Sequence, residues 1–412
     1  MEYALIGHPL SHSHSKKVHG LLGDYAYDIL DLPDERLDSF LKERRFKGLN
    51  VTIPYKQRVI PYCASLSATA QRIGSVNTIV VQEDGALYGD NTDYKGFLYM
   101  CRRAGVAFAG QKVIILGSGG TSLTVQAAAR DEGAAQVAVV SRNGQYNYQN
   151  LSLLKGYDIL INTTPVGMFP HAGQAPLALS GFSSLRAVVD VIYNPLHTRL
   201  IQSAAQLGIP CTGGLPMLVA QAAYAAELFL GKPLGDAAIG SALAQLRREL
   251  ANIVLIGMPG CGKSTIGAQL ARSLGRAHID TDAEIEAQAG MSAADIIQAK
   301  GEQAFRQLEA EAVARAGRLS GTVISTGGGA ILLEENRLAL RQNGFVAWVQ
   351  RPLPLLETKG RPLSLSGAAL QGLYEEREAW YQACCDHIIK NDGAIPHAAK
   401  QVEEAFYEAV GD

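Results

Sequence analysis

The sequence predicts an α/β protein of two or three domains built on mostly parallel sheets. Three observations carry that expectation. Short apolar runs alternate with amphipathic helical patterns along most of the chain. Two glycine turns, "ILGSGGTS" and "GMPGCGKST", each lie between such a strand and such a helix. And 412 residues are too many for one ordinary core.

Taken in order, strands are expected at Tyr3–Ile6, Tyr25–Asp31, Gly48–Thr52, Lys112–Leu116, Gln136–Ser141, Ile159–Asn162 and Ala187–Asp190. Val76–Gln82 and Ala86–Asn91, joined by "EDG", read as a hairpin, the antiparallel exception. Helical patterning fills Leu215–Leu250, broken by "GKPLGD" at Gly231–Asp236. A fresh strand, Asn252–Ile256, follows, which puts the main boundary near 245–251. No fixed-period repeat or low-complexity segment stands out.

Composition narrows the class. Hydrophobic residues make up 47% and charged residues 18%, with a net charge of −2, a soluble globular balance that gives no support for nucleic-acid binding. Six cysteines without CxxC spacing argue against a disulfide scaffold or a zinc site. The start, "MEYALIGHPLSH", reads as a strand rather than a signal peptide, and no apolar run is long enough to span a membrane. A cytoplasmic protein fits these features.

The first glycine turn has the spacing G-x-G-x-x-S, with Gly117, Gly119, Gly120 and Ser122. A bare tight turn is the bland reading. The flanking strand and helix, with a second strand ending at Ser141, favour a dinucleotide site. An acid at that second strand end would hold an NAD ribose. The chain has Ser141-Arg142-Asn143 instead, and a guanidinium at Arg142 suits a 2′-phosphate, so NADP is favoured over NAD.

Four polar clusters precede this turn: Ser11, Ser13 and Ser15 in "SHSHS"; Asn50, Thr52 and Lys56 in "NVTIPYK"; Asn77 in "SVNT"; and Asp93 in "GDNTDYKG". A lysine and an aspartate beside a nicotinamide supply acid–base chemistry for carbonyl reduction, and hydroxyls and amides bind a polyol. Singly, each has a bland reading as a cap or turn residue. Together with "INTTPVGM", "DVIYNP" and "GGLPMLVAQAAY", these motifs resemble shikimate dehydrogenase over roughly residues 1–245. The resemblance implies substrate contacts from Ser13, Ser15, Thr52, Asn77, Asp93 and Gln221. It implies a catalytic pair of Lys56 and Asp93 with Tyr193 close by, either member of the pair delivering the proton. It also implies a substrate domain over 1–100, a Rossmann-like NADP domain over 101–215, and helices 216–245 returning to the first domain. The chain departs from the family at Lys16, usually proline, and at Ser141, usually asparagine.

The second glycine turn has the full G-x-x-x-x-G-K-[ST] spacing, which average glycine usage produces in roughly one or two of a hundred chains of this size. Lys263 is expected at the β/γ-phosphates of ATP and Ser264 at Mg²⁺, with Gly257 opening the nucleotide loop and the anion cradle formed by the backbone amides of Gly260, Cys261, Gly262, Lys263, Ser264 and Thr265. Asp280 and Asp282 flank one residue at a strand end. One suits the metal shell and the other an acceptor hydroxyl, and a helix cap is the bland alternative. Arg306 and Glu309 share a helix face, where a surface ion pair is the bland reading. "STGGGAI", "KGRPLS" and "LYEEREAWY" add Gly327, Gly328, Gly329, Arg361 and Arg377.

These motifs resemble shikimate kinase over about 250–412. The resemblance implies that Asp282, Arg306, Arg377 and Gly327–Gly329 hold shikimate, that Asp280 helps place Mg²⁺, and that Arg361, in the lid, meets the transferring phosphate. The lid, "QRPLPLLETKGRPLS", is short, with Lys359 where further arginines are expected. Jointly the two resemblances imply a fused enzyme that reduces 3-dehydroshikimate with NADPH and phosphorylates the resulting shikimate with ATP. Two alternatives stay open. One is a quinate/shikimate dehydrogenase fused to another small-acid kinase. The other is a regulatory protein that binds pathway metabolites, against which the presence of Lys56, Asp93, Lys263, Ser264 and Asp280 argues.

Overall fold

The computed structural model describes residues 1–10, 13–356 and 367–411. The chain forms two compact units. The first comprises Met1–Met168, Gln174–Asn194 and Leu200–Leu243, and the second Phe169–Gly173, Pro195–Arg199 and Ala244–Asp412.

The first unit holds two sheets. Strands β1 (Tyr3–Gly7), β2 (Tyr27–Asp31), β3 (Gly48–Val51), β4 (Ser65–Leu66), β5 (Thr78–Val81) and β6 (Leu87–Asp90) form one in the order β2-β1-β3-β5-β6-β4. β1 lies parallel to β2 and β3, and β5 and β6 form the expected hairpin, with Thr78 opposite Asp90. β1 and β3 are buried at every residue, as continuous apolar runs should be. Edge strand β2 starts at Tyr27 rather than Tyr25. Tyr25 turns away, its ring edge-on to Tyr3 at 5.3 Å and its hydroxyl 2.6 Å from His19 Nδ1.

The second sheet contains β7 (Lys112–Leu116), β8 (Gln136–Val140), β9 (Ile159–Asn162), β10 (Ala187–Asp190) and β11 (Cys211–Thr212), in the order β11-β10-β9-β7-β8 and parallel throughout. The order reverses at β7, so the first glycine turn leaves the sheet at its topological switch point. Helices of this unit are α1 (Ser15–Leu22), α2 (Asp34–Glu43), α3 (Ala68–Ile73), α4 (Thr92–Arg103), α5 (Gly120–Asp131), α6 (Arg199–Gln206) and α7 (Leu215–Leu230). α7 packs on α4 and α1 and returns to the first sheet. There Phe229 stacks on Tyr3 at 4.6 Å and its carbonyl accepts the Tyr3 hydroxyl. The break between units falls inside α8 (Gly235–Leu250).

The second unit is one parallel sheet of β12 (Asn252–Ile256), β13 (His278–Asp280), β14 (Val323–Ser325), β15 (Gly344–Gln350) and β16 (His387–Lys390), in the order β13-β14-β12-β15-β16. Central β12 is wholly buried. Its helices are α9 (Lys263–Leu274), α10 (Thr281–Ala289), α11 (Ala293–Lys300), α12 (Glu302–Gly317), α13 (Glu334–Arg341), α14 (Gly367–Cys384) and α15 (Ile395–Gly411). In such a sheet ligands gather beyond the carboxyl ends of the strands. Among the described residues, no helix is long and apolar enough to cross a membrane.

Candidate active sites

A cavity of about 250 Å³ in the first unit gathers the expected polar residues: Ser13, Ser15, Thr52, Lys56, Asn77, Asp93, Tyr193 and Gln221 all line it. Ser11 lies outside the described residues. Lys56 follows β3, Asp93 stands in the first turn of α4, and Lys56 Nζ donates to Asp93 Oδ2 at 2.6 Å. Both side chains are largely buried, at 16% and 11% exposure.

Each neighbour is held in place. Asn77 Oδ1 accepts the Thr92 N–H at 2.7 Å and Asn77 Nδ2 donates to Thr92 Oγ1 at 3.1 Å, so Asn77 braces the start of the helix that carries Asp93. Ser13 Oγ donates to Ser15 Oγ at 3.0 Å. Gln221 Nε2 donates to the Leu218 carbonyl, 2.9 Å away. Gly96 lets α4 and α7 touch backbone to backbone: a Cβ there would lie 2.9 Å from Gln221 N. Burial pushes the Tyr193 phenol up, which keeps it a neutral donor.

Asn50, singled out only as part of a motif, is buried and lines the cavity. Its Oδ1 accepts the Tyr27 hydroxyl at 2.8 Å, and its Nδ2 donates to Thr78 Oγ1 at 3.2 Å. Tyr27 in turn stacks on His19, at 3.8 Å between ring centres. No sequence signal pointed to His19. Burial pushes its pKa down to about 3, so it is neutral at all working pH.

The β7–α5 turn opens beside this cavity, since Thr121 lines it too. A Cβ at Gly119 or Gly120 would meet nothing within 4 Å, so both face open space, which fits the close approach of a dinucleotide pyrophosphate. Gly117 ends the strand. Ser122 is placed differently from the cofactor contact expected of it: it is buried, and its hydroxyl donates back to the Gly117 carbonyl at 2.7 Å. It braces the turn from behind. Arg142 is exposed two residues past β8, on the side of the turn.

In the second unit the phosphate-type loop joins β12 to α9. Gly262 takes φ 98°, a left-handed conformation, and a Cβ there would lie 2.9 Å from Asn391 Nδ2. Lys263 Nζ donates to the loop carbonyls of Gly257 at 2.9 Å and Met258 at 3.0 Å, which fixes the amine at the loop. Asn391 Nδ2 donates to the carbonyl of buried Cys261 at 2.7 Å. Gly260 turns the loop, and Ser264 and Thr265 begin α9 with exposed side chains. These features fit a polyphosphate and a metal held largely by it. Asp280 Oδ1 caps α10, accepting from Asp282 N at 3.1 Å and Ala283 N at 3.3 Å; the cap is therefore Asp280, and its second oxygen remains for a metal shell.

A cavity of about 640 Å³ joins this loop to Asp282, Arg306, Gly327, Gly328, Gly329 and Arg377. A Cβ at Gly327 would lie 2.5 Å from Asp282 Oδ1 and 2.7 Å from Glu309 Oε1, so two carboxyl groups flank the bare backbone. Both of those oxygens are buried without a partner among the described residues. Burial first, then the charge of Glu309, pushes the Asp282 pKa up to about 6. Glu309 is 1% exposed and binds Arg306 at 2.8 Å, so the pair read as a possible surface bridge lies inside, and Arg306 also binds Glu302 at 3.0 Å. Arg377 is 4% exposed rather than solvated. One turn on, Tyr381 Oη donates to the Gly328 carbonyl at 2.6 Å and its ring stacks on Trp348. Arg361 and Lys359 lie outside the described residues.

Comparison with known proteins agrees with both halves. Residues 259–409 match the family model described as shikimate kinase, and residues 5–79 match that of the shikimate dehydrogenase substrate binding domain. A shikimate dehydrogenase (NADP(+)) from Clostridium beijerinckii is 37% identical over 247 residues, spanning 55% of this chain and 91% of that protein. One from Halothermothrix orenii is 37% identical over 260 residues, spanning 55% and 90%. Among solved structures, a chorismate mutase/shikimate 5-dehydrogenase fusion protein from Clostridium acetobutylicum is 34% identical, with TM-score 0.56 over 59% of this chain and 96% of that one. The Thermus thermophilus shikimate 5-dehydrogenase in complex with NADP(H) and shikimate is 33% identical, with TM-score 0.54 over 60% and 99%.

Proposed function

The chain belongs to the shikimate dehydrogenase family and carries a shikimate kinase domain behind it, and on that premise we propose two consecutive reactions for it. The first unit reduces 3-dehydroshikimate to shikimate with NADPH. The second phosphorylates shikimate to shikimate 3-phosphate with ATP and Mg²⁺. The observation that carries this reading is the convergence of each residue set on its own cavity, one around the Lys56–Asp93 pair and one around Lys263, Asp282, Arg306 and Arg377.

In the dehydrogenase site, bound NADPH supplies the hydride. Ser13, Ser15, Thr52, Asn77 and Gln221 hold the polyol and its carboxylate. Lys56 and Asp93, sharing one short hydrogen bond, hold the proton for the oxygen that develops negative charge. Tyr193 closes the wall as a neutral donor. Gly117, Gly119 and Gly120 give the cofactor its turn, and Arg142 faces the 2′-phosphate.

In the kinase site, bound MgATP supplies the phosphoryl group. The loop from Gly257 to Thr265 cradles its phosphates, with Lys263 as the fixed cation, while Ser264 and Asp280 serve the Mg²⁺ shell. Arg306 and Arg377 face the acceptor carboxylate, and Gly327–Gly329 lie against its ring. Asp282, at a pKa of about 6, is mostly ionised at pH 7 and basic enough to take the acceptor proton. Arg361 is assigned, on the family resemblance alone, to the transferring phosphate. A reducing cytoplasm suits the six free thiols.

Two separate assays on one preparation test the reading: NADPH oxidation with 3-dehydroshikimate, and ADP release across a panel of small polyol acids. Both rates, with shikimate the preferred acceptor, are expected. ADP release with another acid alone would overturn the kinase assignment, and no NADPH oxidation with 3-dehydroshikimate would overturn the other.

A further inference from the structure

The nucleotide side of the kinase loop carries a cation to which neither resemblance gives a role. Arg351 is the first residue after β15, at the carboxyl end of the strand beside β12. It lines the loop cavity and also a neighbouring cavity of about 330 Å³ that Met258, Trp348, Tyr374 and Asn391 share. Its Nε is buried without a partner among the described residues. A guanidinium nitrogen shut away from water and left unpaired implies a missing anion or acceptor.

Strand order says which ligand that is. Gly327–Gly329, the acceptor loop, follow β14, on one side of β12. Arg351 follows β15, on the other side, so the phosphate loop stands between them. The acceptor side also has its own cation in Arg306, already held by Glu302 and Glu309. The geometry points to Arg351 as a nucleotide-phosphate contact, a second cation beside Lys263 reaching the polyphosphate from the strand end. This rests on the kinase reading above. It places an arginine on the phosphates from the end of β15, at the first step of the stretch read as the lid.

The test uses the full chain with Arg351→Gln and Arg351→Lys. Calorimetry without acceptor gives the affinity for MgATP, MgADP and AMP, and steady-state kinetics give KM for ATP and for shikimate. Arg351→Gln is expected to weaken MgATP by roughly ten- to a hundredfold, as loss of a charge-assisted hydrogen bond does. AMP affinity and KM for shikimate should stay within about twofold. Arg351→Lys should recover part of the loss, because a lysine still reaches a phosphate as a point charge. Thermal unfolding and NADPH oxidation by the same samples check that the chain is intact. Unchanged MgATP affinity in Arg351→Gln, or equal losses for AMP and MgATP, would overturn the inference alone. A wild-type chain that binds no MgATP would overturn it together with the kinase reading.

Discussion

The elevated pKa of Asp282 sets where the kinase half loses activity in acid. Only the ionised carboxylate accepts the acceptor proton, and kcat/KM for shikimate reports the enzyme before shikimate binds. With a pKa of about 6, roughly nine-tenths of Asp282 is ionised at pH 7 and about one-tenth at pH 5. Kinase kcat/KM for shikimate at saturating MgATP should therefore fall about tenfold between those values. An ordinary aspartate, near 4, would lose only about a tenth. Asp282→Asn should lower the rate by about a hundredfold or more and abolish the limb. Glu309→Gln should shift it down only in part, because burial outweighs the charge of Glu309.

The same shift has a sign for stability. A carboxyl group whose folded pKa is raised binds more protons folded than unfolded between about 4 and 6. Its contribution therefore falls as pH rises through that window and is fully unfavourable at pH 7. Asp282→Asn should stabilise the kinase half at pH 7 by about 1–3 kcal/mol, an upper bound being about 1.4 kcal/mol for each pH unit of the shift. The measurement is ADP release from pH 5 to 8, with calorimetric melting of both proteins. A limb near pH 4, or an identical limb in Asp282→Asn, would refute the assignment of Asp282 as the base.

Other expectations are more direct. Lys56→Ala should reduce NADPH oxidation by about a hundredfold or more while leaving ADP release by the same chain unchanged, measured side by side. Tyr381→Phe keeps the ring on Trp348 but strips the Gly328 carbonyl of its donor, a loss of about 1 kcal/mol. KM for shikimate should rise roughly fivefold with KM for ATP held, read from initial rates. His19, with its pKa pushed down to about 3, resists protonation in the fold, so stability drops by about 1.4 kcal/mol for each pH unit below about 6.5. His19→Phe should flatten that acid loss, followed as inactivation of NADPH oxidation in urea at pH 7 and pH 5.

The sheet cores and both glycine turns were legible because buried parallel strands read as apolar runs and glycine spacing is tied to backbone geometry. β7 was expected at its observed bounds, while β3 and β8 end one residue early, a difference within normal strand-end fraying. β2 was overextended because Tyr25 is as strand-like as Tyr27. Only the fold shows that its hydroxyl goes to His19. Helix spacing put Arg306 beside Glu309 but not which face is inside; Phe305, Ala312 and Val313 bury that helix. Arg351 stands at the start of the stretch read as the lid, and only strand order separates it from the acceptor loop. Asn50 and His19 form a side-chain network between residues far apart in sequence, which no local motif encodes.

The most direct test of the whole account is one reaction holding 3-dehydroshikimate, NADPH, ATP and Mg²⁺, with NADPH absorbance followed and products identified by mass. The account predicts NADPH loss with shikimate 3-phosphate as the end product, and shikimate alone when ATP is withheld. NADPH loss that ends at shikimate with ATP present would contradict the two-reaction claim.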